Sequence, residues 1–348
     1  MASVPVAPTA ADVRDLGLAA GLDAVGVAPA EPFLNTRRDL EERKSRGLHG
    51  GMQFTYRNPE RSTDPRRALP GAQSLIVGAR CYGGADVPPS TTAGTVARYA
   101  RDDHYAVLRR SLDEVAVALG RDGWRTRVVC DDNALVDREA ARRAGLGWYG
   151  KNSMLLLPDR GSWFVLGSVI TDAPIAADAD DVADGCGSCA RCMDACPTAA
   201  IVAPGVVDAR RCLAWLVQRA GTFPVEFRTA LGGRIYGCDD CQEVCPPNRR
   251  ADRATASKST SEDKAWVPLL DLLRASDDEL LSRHGRWYIA ERDPRWLRRN
   301  ALVALGNVGD AGDRETVAVL ERFACGGDAV LAEHASWALA RLGDKVHA

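Results

Sequence analysis

The sequence predicts an α+β, multidomain chain. It divides into an N-terminal α/β domain over residues 1–175, a cysteine-rich domain over 176–250, a linker over 251–264 and α-helical repeats over 265–348. Three observations predict this. Apolar runs of strand length alternate with amphipathic stretches in the first half. Eight of the eleven cysteines fall between residues 186 and 245, and a fourteen-residue pattern recurs near the C-terminus at a spacing of 34.

The α/β domain builds up in order. Val13, Leu16 and Ala19 share one helical face that Gly21 closes, and DAVGVAPA (23–30) follows as a strand. SLIVGARCY (74–82) is a second apolar run after the turn at Pro70-Gly71. Tyr105, Leu108, Leu112, Val115 and Leu119 mark an amphipathic helix ended by Gly120. WRTRVVC (124–130), a helix over 134–144 stopped by Gly145, and GSWFVLGSVIT (161–171) complete a layered sheet with crossovers. No G-x-G-x-x-G follows a strand and no Walker lysine loop is present, so neither usual nucleotide cradle is supported.

The cysteines carry the chemistry. Cys186, Cys189, Cys192 and Cys196-Pro197 spell C-x2-C-x2-C-x3-C-P; Cys212 stands apart, and Cys238, Cys241 and Cys245-Pro246 close the set. This is the spacing of a ferredoxin-like domain with two [4Fe-4S] clusters, in which the last cysteine of each run ligates the other run's cluster. Cys186, Cys189, Cys192 and Cys245 then hold one cluster, and Cys196, Cys212, Cys238 and Cys241 the other. Paired structural zincs would leave Cys192 and Cys196 unexplained. A disulfide framework suits small secreted domains, and MASVPVAPTA has neither the charged nor the apolar region of a signal peptide. Cys81, Cys130 and Cys325 lie outside the pattern and read as buried apolar thiols.

Composition is that of an ordinary soluble protein, 46% hydrophobic and 26% charged, with no apolar run long enough to span a membrane. The net charge of −2 gives no general basicity, but charge is unevenly spread. Asp178, Asp180, Asp181 and Asp184 precede the first cysteine. Arg249, Arg250 and Arg253 follow the last, and Arg283, Arg286, Arg292, Arg295, Arg298 and Arg299 form a later basic stretch. Such a stripe is either a phosphate footprint or a merely solvated face. The repeat pairs LRRNALVALGNVGD (297–310) with LAEHASWALARLGD (331–344), with Ala301/Ala335, Ala304/Ala338, Leu305/Leu339 and Gly309/Gly343 matched. Stacked helix pairs of this period bury their Ala/Leu stripe on each other, and Asp293-Pro294 is a suitable helix start.

Over almost its whole length the chain resembles the epoxyqueuosine reductases. GGMQFTYRN, ARYARDDHY, AGLGWYGKNSMLL with GSWFVLGSVITD, CGSCARCMDACPTAAI with VDARRC, GGRIYGCDDCQEVCPPN and RWLRRNALVALGN carry the resemblance. It implies a cobalamin in the N-terminal domain, fed by the two clusters, and a HEAT-like helical tail that helps grip tRNA at the anticodon stem-loop. The implied reaction removes the epoxide oxygen of epoxyqueuosine at the wobble position, leaving queuosine. By position, Asp131 is implied as the proton donor. Arg57, Tyr99, Leu155, Leu166 and Val169 are implied to line the corrinoid together with Asp131. Lys151 and Asn152 would meet the cofactor's tail or a substrate phosphate. Asp131 and Asp132 are neighbours, so if the strand end stays extended only one faces the corrin. Charge reversal at Arg295 and Arg299 is expected to weaken tRNA binding and flatten its salt dependence.

The chain departs from the family pattern in three places. Asp131-Asp132-Asn133-Ala134 replaces Asp-Ser-Ala-Pro, LAWLVQR follows Cys212 in place of Ser-Tyr-Leu-Thr-Ile-Glu, and WYIAERDP replaces an arginine-bearing run before RWLRRN. The alternatives are therefore a related cobalamin and iron–sulfur reductase, reductive-dehalogenase-like, with another substrate, or a plain electron-transfer protein without a corrinoid. A cytoplasmic monomer without a membrane partner, served by a small electron-donor protein or reductant, is expected.

Overall fold

The computed structural model describes residues 6–82, 93–177, 182–255 and 262–346. Asp178, Asp180 and Asp181, the first five residues and positions 256–261 of the linker lie outside them.

The four long apolar runs become the strands Ala24–Pro29, Ser74–Cys81, Thr126–Cys130 and Phe164–Thr171. They form one sheet in which Ser74–Cys81 and Phe164–Thr171 are central, Ala24–Pro29 lies at one edge and Thr126–Cys130 at the other. Every neighbouring pair is antiparallel. Between the first two strands the chain spends its length on Leu34–Ser45 and two single-turn helices and returns in the opposite direction. Both faces are covered. One packs Val13 of helix Ala10–Ala19 and Leu108, Leu112 and Val115 of helix His104–Arg121 on Val27, Ile76, Val165 and Val169. The other packs Ala140 and Ala141 of helix Asp137–Arg143 on Val77, Ala79 and Leu166. Alternation along each strand thus sends odd and even residues to different cores.

A second sheet ties the three parts of the chain together. Ala93–Val96 pairs in parallel with Arg234–Tyr236 and antiparallel with Trp266–Pro268. Val96 and Tyr236 accordingly sit in the same apolar core as Leu297, Leu320 and Leu331 of the C-terminal helices. The stretch 251–264 read as linker is partly structured, since the helix Pro246–Thr255 runs into it.

The C-terminal helices are Arg295–Val308, Arg314–Ala324 and Ala329–Val346. Both copies of the repeat lie in the first and third of these, and their matched alanines 301, 304, 335 and 338 are all at 0% exposure. Gly306 lies so near Ala338 that an added Cβ would stand 2.8 Å from that residue's Cα. Small residues thus let the two repeat helices approach closely. Cys130 is buried as expected, Cys81 is half-buried, and Cys325 is exposed at the end of helix Arg314–Ala324 rather than in a core. No helix among the described residues is long and apolar enough to cross a membrane.

Candidate functional site

The eight cysteines gather into two quartets. The thiol of Cys245 lies within the electrostatic reach of Cys186, Cys192 and Cys189. That of Cys241 lies within reach of Cys212, Cys196 and, least of the three, Cys192 of the other set, and Cys238 within reach of Cys212. Cys186, Cys189, Cys192 and Cys245 all line one cavity of ≈ 170 Å³, together with Trp148, Lys151 and Pro246. Among the described residues no three Cys, His, Asp or Glu converge at single-ion distances, whereas a cubane with iron at its corners holds its thiolates farther apart. Burial pushes the Cys245 thiol up to about 11 and raises Cys241 and Cys238 further. Without iron these groups stay protonated, and cluster assembly displaces the protons. Around Cys196 the Ala200 N–H donates to Sγ at 3.2 Å, a contact that tunes a cluster's potential. Cys212 stands at the N-terminus of the single turn Leu213–Leu216, where the Ala214 and Trp215 amides favour its thiolate against the burial that raises it.

The α/β domain reaches both quartets. Lys151 Nζ donates to Gly187 O of the first cluster loop at 2.7 Å, and buried Asn152 donates to Cys241 O of the second at 3.4 Å. These two residues thus touch the loops that carry the cysteines. Asn248, of the closing CPPN, accepts from Ser162 N at 2.6 Å and donates to Gln242 O at 2.9 Å. Gly161 has φ 65°, and a Cβ there would fall 1.9 Å from Asn248 Oδ1, so only glycine allows this approach. Arg98, 3% exposed, pairs with Asp252 at 2.7 Å and lies 4.2 Å over the Trp163 ring. Its backbone N–H donates to Asp239 at 2.7 Å.

The strand Thr126–Cys130 ends in the Asp131 loop. Asp131 does not continue the strand: it turns into the left-handed region at φ 52° and is exposed. Asp132 takes the structural role, accepting from Ala134 N at 2.9 Å. Desolvation nevertheless raises the Asp131 carboxyl above the usual carboxylate range, with Arg109 opposing and Asp132 adding to it. Tyr149 shows the same combination, 36% exposed with its phenol pushed up by desolvation. Side chains that solvent reaches while surrounding protein desolvates them mark a recessed surface, the candidate cleft around the Asp131 loop. Desolvation raises Asp137 well above its usual value, and Tyr105 and Tyr236 also feel the Asp131 charge. Exposed Arg138, whose field reaches Tyr56, Tyr105, Asp137 and Tyr149, makes no hydrogen bond or ion pair among the described residues.

The residues expected to line a corrinoid divide. Tyr99 lies 6.2 Å from the Tyr236 ring and its hydroxyl accepts from Gln218 at 3.3 Å, next to the cleft. Arg57 is exposed on the loop beside Tyr56. Leu166, 8% exposed, shares its core with Leu155, but Val169 belongs to the opposite face of the sheet. Three positions along a strand reverse the side chain's direction, so no single flat ring meets both. Leu155 and Val169, at 1% and 0%, keep almost no surface for a ligand and are core residues here.

A family model described as a 4Fe-4S double cluster binding domain matches residues 185–248. An epoxyqueuosine reductase of Bacillus subtilis strain 168 is 34% identical over 337 residues, 94% of this chain and 86% of that protein. The chain belongs to the epoxyqueuosine reductase family. An epoxyqueuosine reductase of Escherichia coli K12 is likewise 34% identical, covering 94% of this chain and 88% of its own length. A crystal structure of epoxyqueuosine reductase with an epoxyqueuosine-modified tRNA-Tyr stem loop superposes with a TM-score of 0.87 at 33% identity, over 97% of this chain and 91% of that one. The family's double cluster domain therefore holds iron–sulfur clusters in this chain as well. Replacing Cys245 or Cys196 by alanine should each lower iron and acid-labile sulfide to about half, because each removes one ligand from a different quartet. Combining each with Cys189→Ala decides the crossed assignment: with Cys245→Ala about half the iron should remain, with Cys196→Ala almost none, and the reverse would refute it.

In this member of the epoxyqueuosine reductase family the arginines from 286 to 299 are engaged within the protein, Arg299 most fully. Arg299 is fully buried and donates to Arg219 O, Gly221 O and Leu216 O at 2.8, 2.6 and 2.9 Å, and burial pulls its pKa down to about 9. Arg295 pairs with Asp293 at 2.7 Å and Asp328 at 3.5 Å, and Arg298 with Asp277. Arg286 donates to the Ala100, Arg101 and Asp102 carbonyls, and Arg292 to Gly285 O. Charge reversal at Arg295 and Arg299 would thus disturb the fold before it reported on RNA. Asn248, Arg138 and Asp137 were given no role from sequence; the CPPN and helix-start patterns around them were the available signals.

Proposed function

We propose that this chain reduces epoxyqueuosine to queuosine at the wobble position of tRNA. The observation that carries the reading is kinship over 94% of the chain with epoxyqueuosine reductases, one of them solved with a modified stem loop; the eight cysteines of the double cluster domain and the desolvated Asp131 carboxyl support it. Turning an epoxide into an alkene consumes two electrons and two protons and releases water. The clusters are one-electron carriers, and a cobalamin in the cleft would supply a strongly nucleophilic reduced metal for the oxygen-removing step. Tyr99, Arg57 and the cleft-lining Tyr149 are the residues of this chain that would hold it. Val169 and Leu155 would support the sheet beneath.

The chain's own part is protonation, exclusion of water and binding. Asp131 would donate a proton to the departing oxygen, which otherwise leaves as a costly alkoxide. Its raised carboxyl pKa keeps the proton available closer to neutral pH than an ordinary aspartate would. The C-terminal helices are read as a HEAT-like module helping to seat the tRNA, within a cytoplasmic protein. Arg138 is a cation available to a backbone phosphate in the cleft.

The test is direct. Reduced, cluster- and cobalamin-loaded protein is incubated with epoxyqueuosine-containing tRNA, and the nucleosides are analysed by mass. Loss of one oxygen, giving queuosine, is expected. An unchanged epoxynucleoside with demonstrably reduced clusters would shift the assignment to a related reductase with another substrate.

A further inference from the structure

The two segments that depart from the family pattern after Cys212 and before RWLRRN meet in space. Trp215, from the first, and Tyr288, from the second, stack with ring centroids 6.5 Å apart and planes inclined by 27°. Both rings are held in place. Trp215 Nε1 donates to Gly50 O at 2.9 Å. The Tyr288 backbone is clamped at both polar atoms by one hydroxyl, since its N–H donates to Tyr236 Oη at 2.8 Å and its carbonyl accepts from the same group at 3.3 Å. Tyr236 is fixed in turn by stacking on Trp287 at 4.5 Å. Tyr288 is nevertheless 57% exposed, and among the described residues it has no ring partner other than Trp215. A large aromatic that is rigidly anchored and left open to solvent resembles a binding face more than a packing residue.

Its location says what it would bind. Trp215 lies three residues after the cluster ligand Cys212, and Tyr236, which holds Tyr288, feels the Asp131 carboxylate. The pair therefore stands near Cys212 and on the side of Tyr236 that the Asp131 charge reaches. Unpaired bases of a nucleic-acid loop are recognised by stacking on such rings, and each stack is tolerant of base identity. We propose that Trp215 and Tyr288 form a platform on which an unpaired anticodon-loop base flanking the wobble nucleotide stacks, orienting the modified nucleotide into the cleft. This rests on the tRNA reading above. Aromatic contact of this kind would add to any phosphate pairing by exposed arginines and would fix the base that the phosphates do not read.

The test uses the cluster- and cobalamin-loaded full chain and an epoxyqueuosine-bearing anticodon stem-loop, intact or with an abasic nucleotide on either side of the wobble position. Tyr288→Ala should weaken binding of the intact loop roughly five- to hundredfold, while Tyr288→Phe, which keeps the ring, stays within about twofold. One abasic loop should bind wild type as weakly as Tyr288→Ala binds the intact loop, with no further loss on combining the two. Equal affinity of Tyr288→Ala and wild type for the intact loop, or an equal loss on all three loops, overturns the platform. Conversion of the bound loop by wild type is read by mass in the same samples. Turnover with no Tyr288 dependence would sink the platform alone, whereas neither binding nor turnover would sink the reading beneath it as well.

Discussion

Asp131→Asn is expected to lower turnover of epoxyqueuosine by about 10²–10⁴-fold while both clusters remain bound. Asparagine tolerates the left-handed backbone that the position requires and preserves the shape of the side chain. It has no proton to give to the leaving oxygen. The wild-type rate should fall as pH rises through the Asp131 pKa, which desolvation has moved above the usual carboxylate value. Stability follows the same sign. A carboxyl whose pKa is higher in the folded state favours folding below its unfolded value, and that contribution disappears as pH rises through the folded value. At neutral pH the variant should therefore melt at or slightly above the wild-type temperature, and the difference should close in acid. Iron content, a pH–rate profile and thermal scans check the three statements; unchanged turnover would remove Asp131 from the chemistry.

Arg299→Ala is expected to destabilise the chain by about 3–5 kcal/mol and to release the second cluster first. The guanidinium binds carbonyls of Leu216, Arg219 and Gly221, and neighbouring Asn300 donates to Val217 O at 2.7 Å. Together they brace the end of the turn that starts at Cys212. Removing the cation leaves these buried acceptors without a donor. Denaturant unfolding, with iron measured along the transition, checks the result. A variant of wild-type stability with a changed salt slope for RNA would instead restore Arg299 to the nucleic-acid surface.

Much of the architecture was legible because it is written locally. Cysteine spacing depends on a few residues of chain and survives any arrangement of the remainder, so the double cluster domain was legible from sequence. Strands such as Ser74–Cys81 are apolar on both faces because helices cover both. Strand direction was not legible, since an apolar run reads the same either way. Val169 is a different matter. Its odd spacing from Leu166 already places the two on opposite faces, and period-two alternation would have kept them apart. The fate of Arg299 could not be read at all. Nothing in RWLRRN reveals that the carbonyls completing its coordination come from residues 216–221, about eighty positions earlier. The Asp131 loop lay between these cases: two adjacent carboxylates were visible, and the backbone turn that separates their tasks was not.

The contacts of Lys151 and Asn152 with the two cluster loops have a kinetic consequence. Carriers that must collide with their acceptor deliver charge at a rate that varies with concentration and ionic strength. Here Lys151 and Asn152, in the turn between the short paired strands Trp148–Tyr149 and Leu155–Leu156, tie the α/β domain to both cluster loops. Internal transfer should therefore be first order and insensitive to added salt, which would leave only the entry of reducing equivalents from outside to respond to the medium.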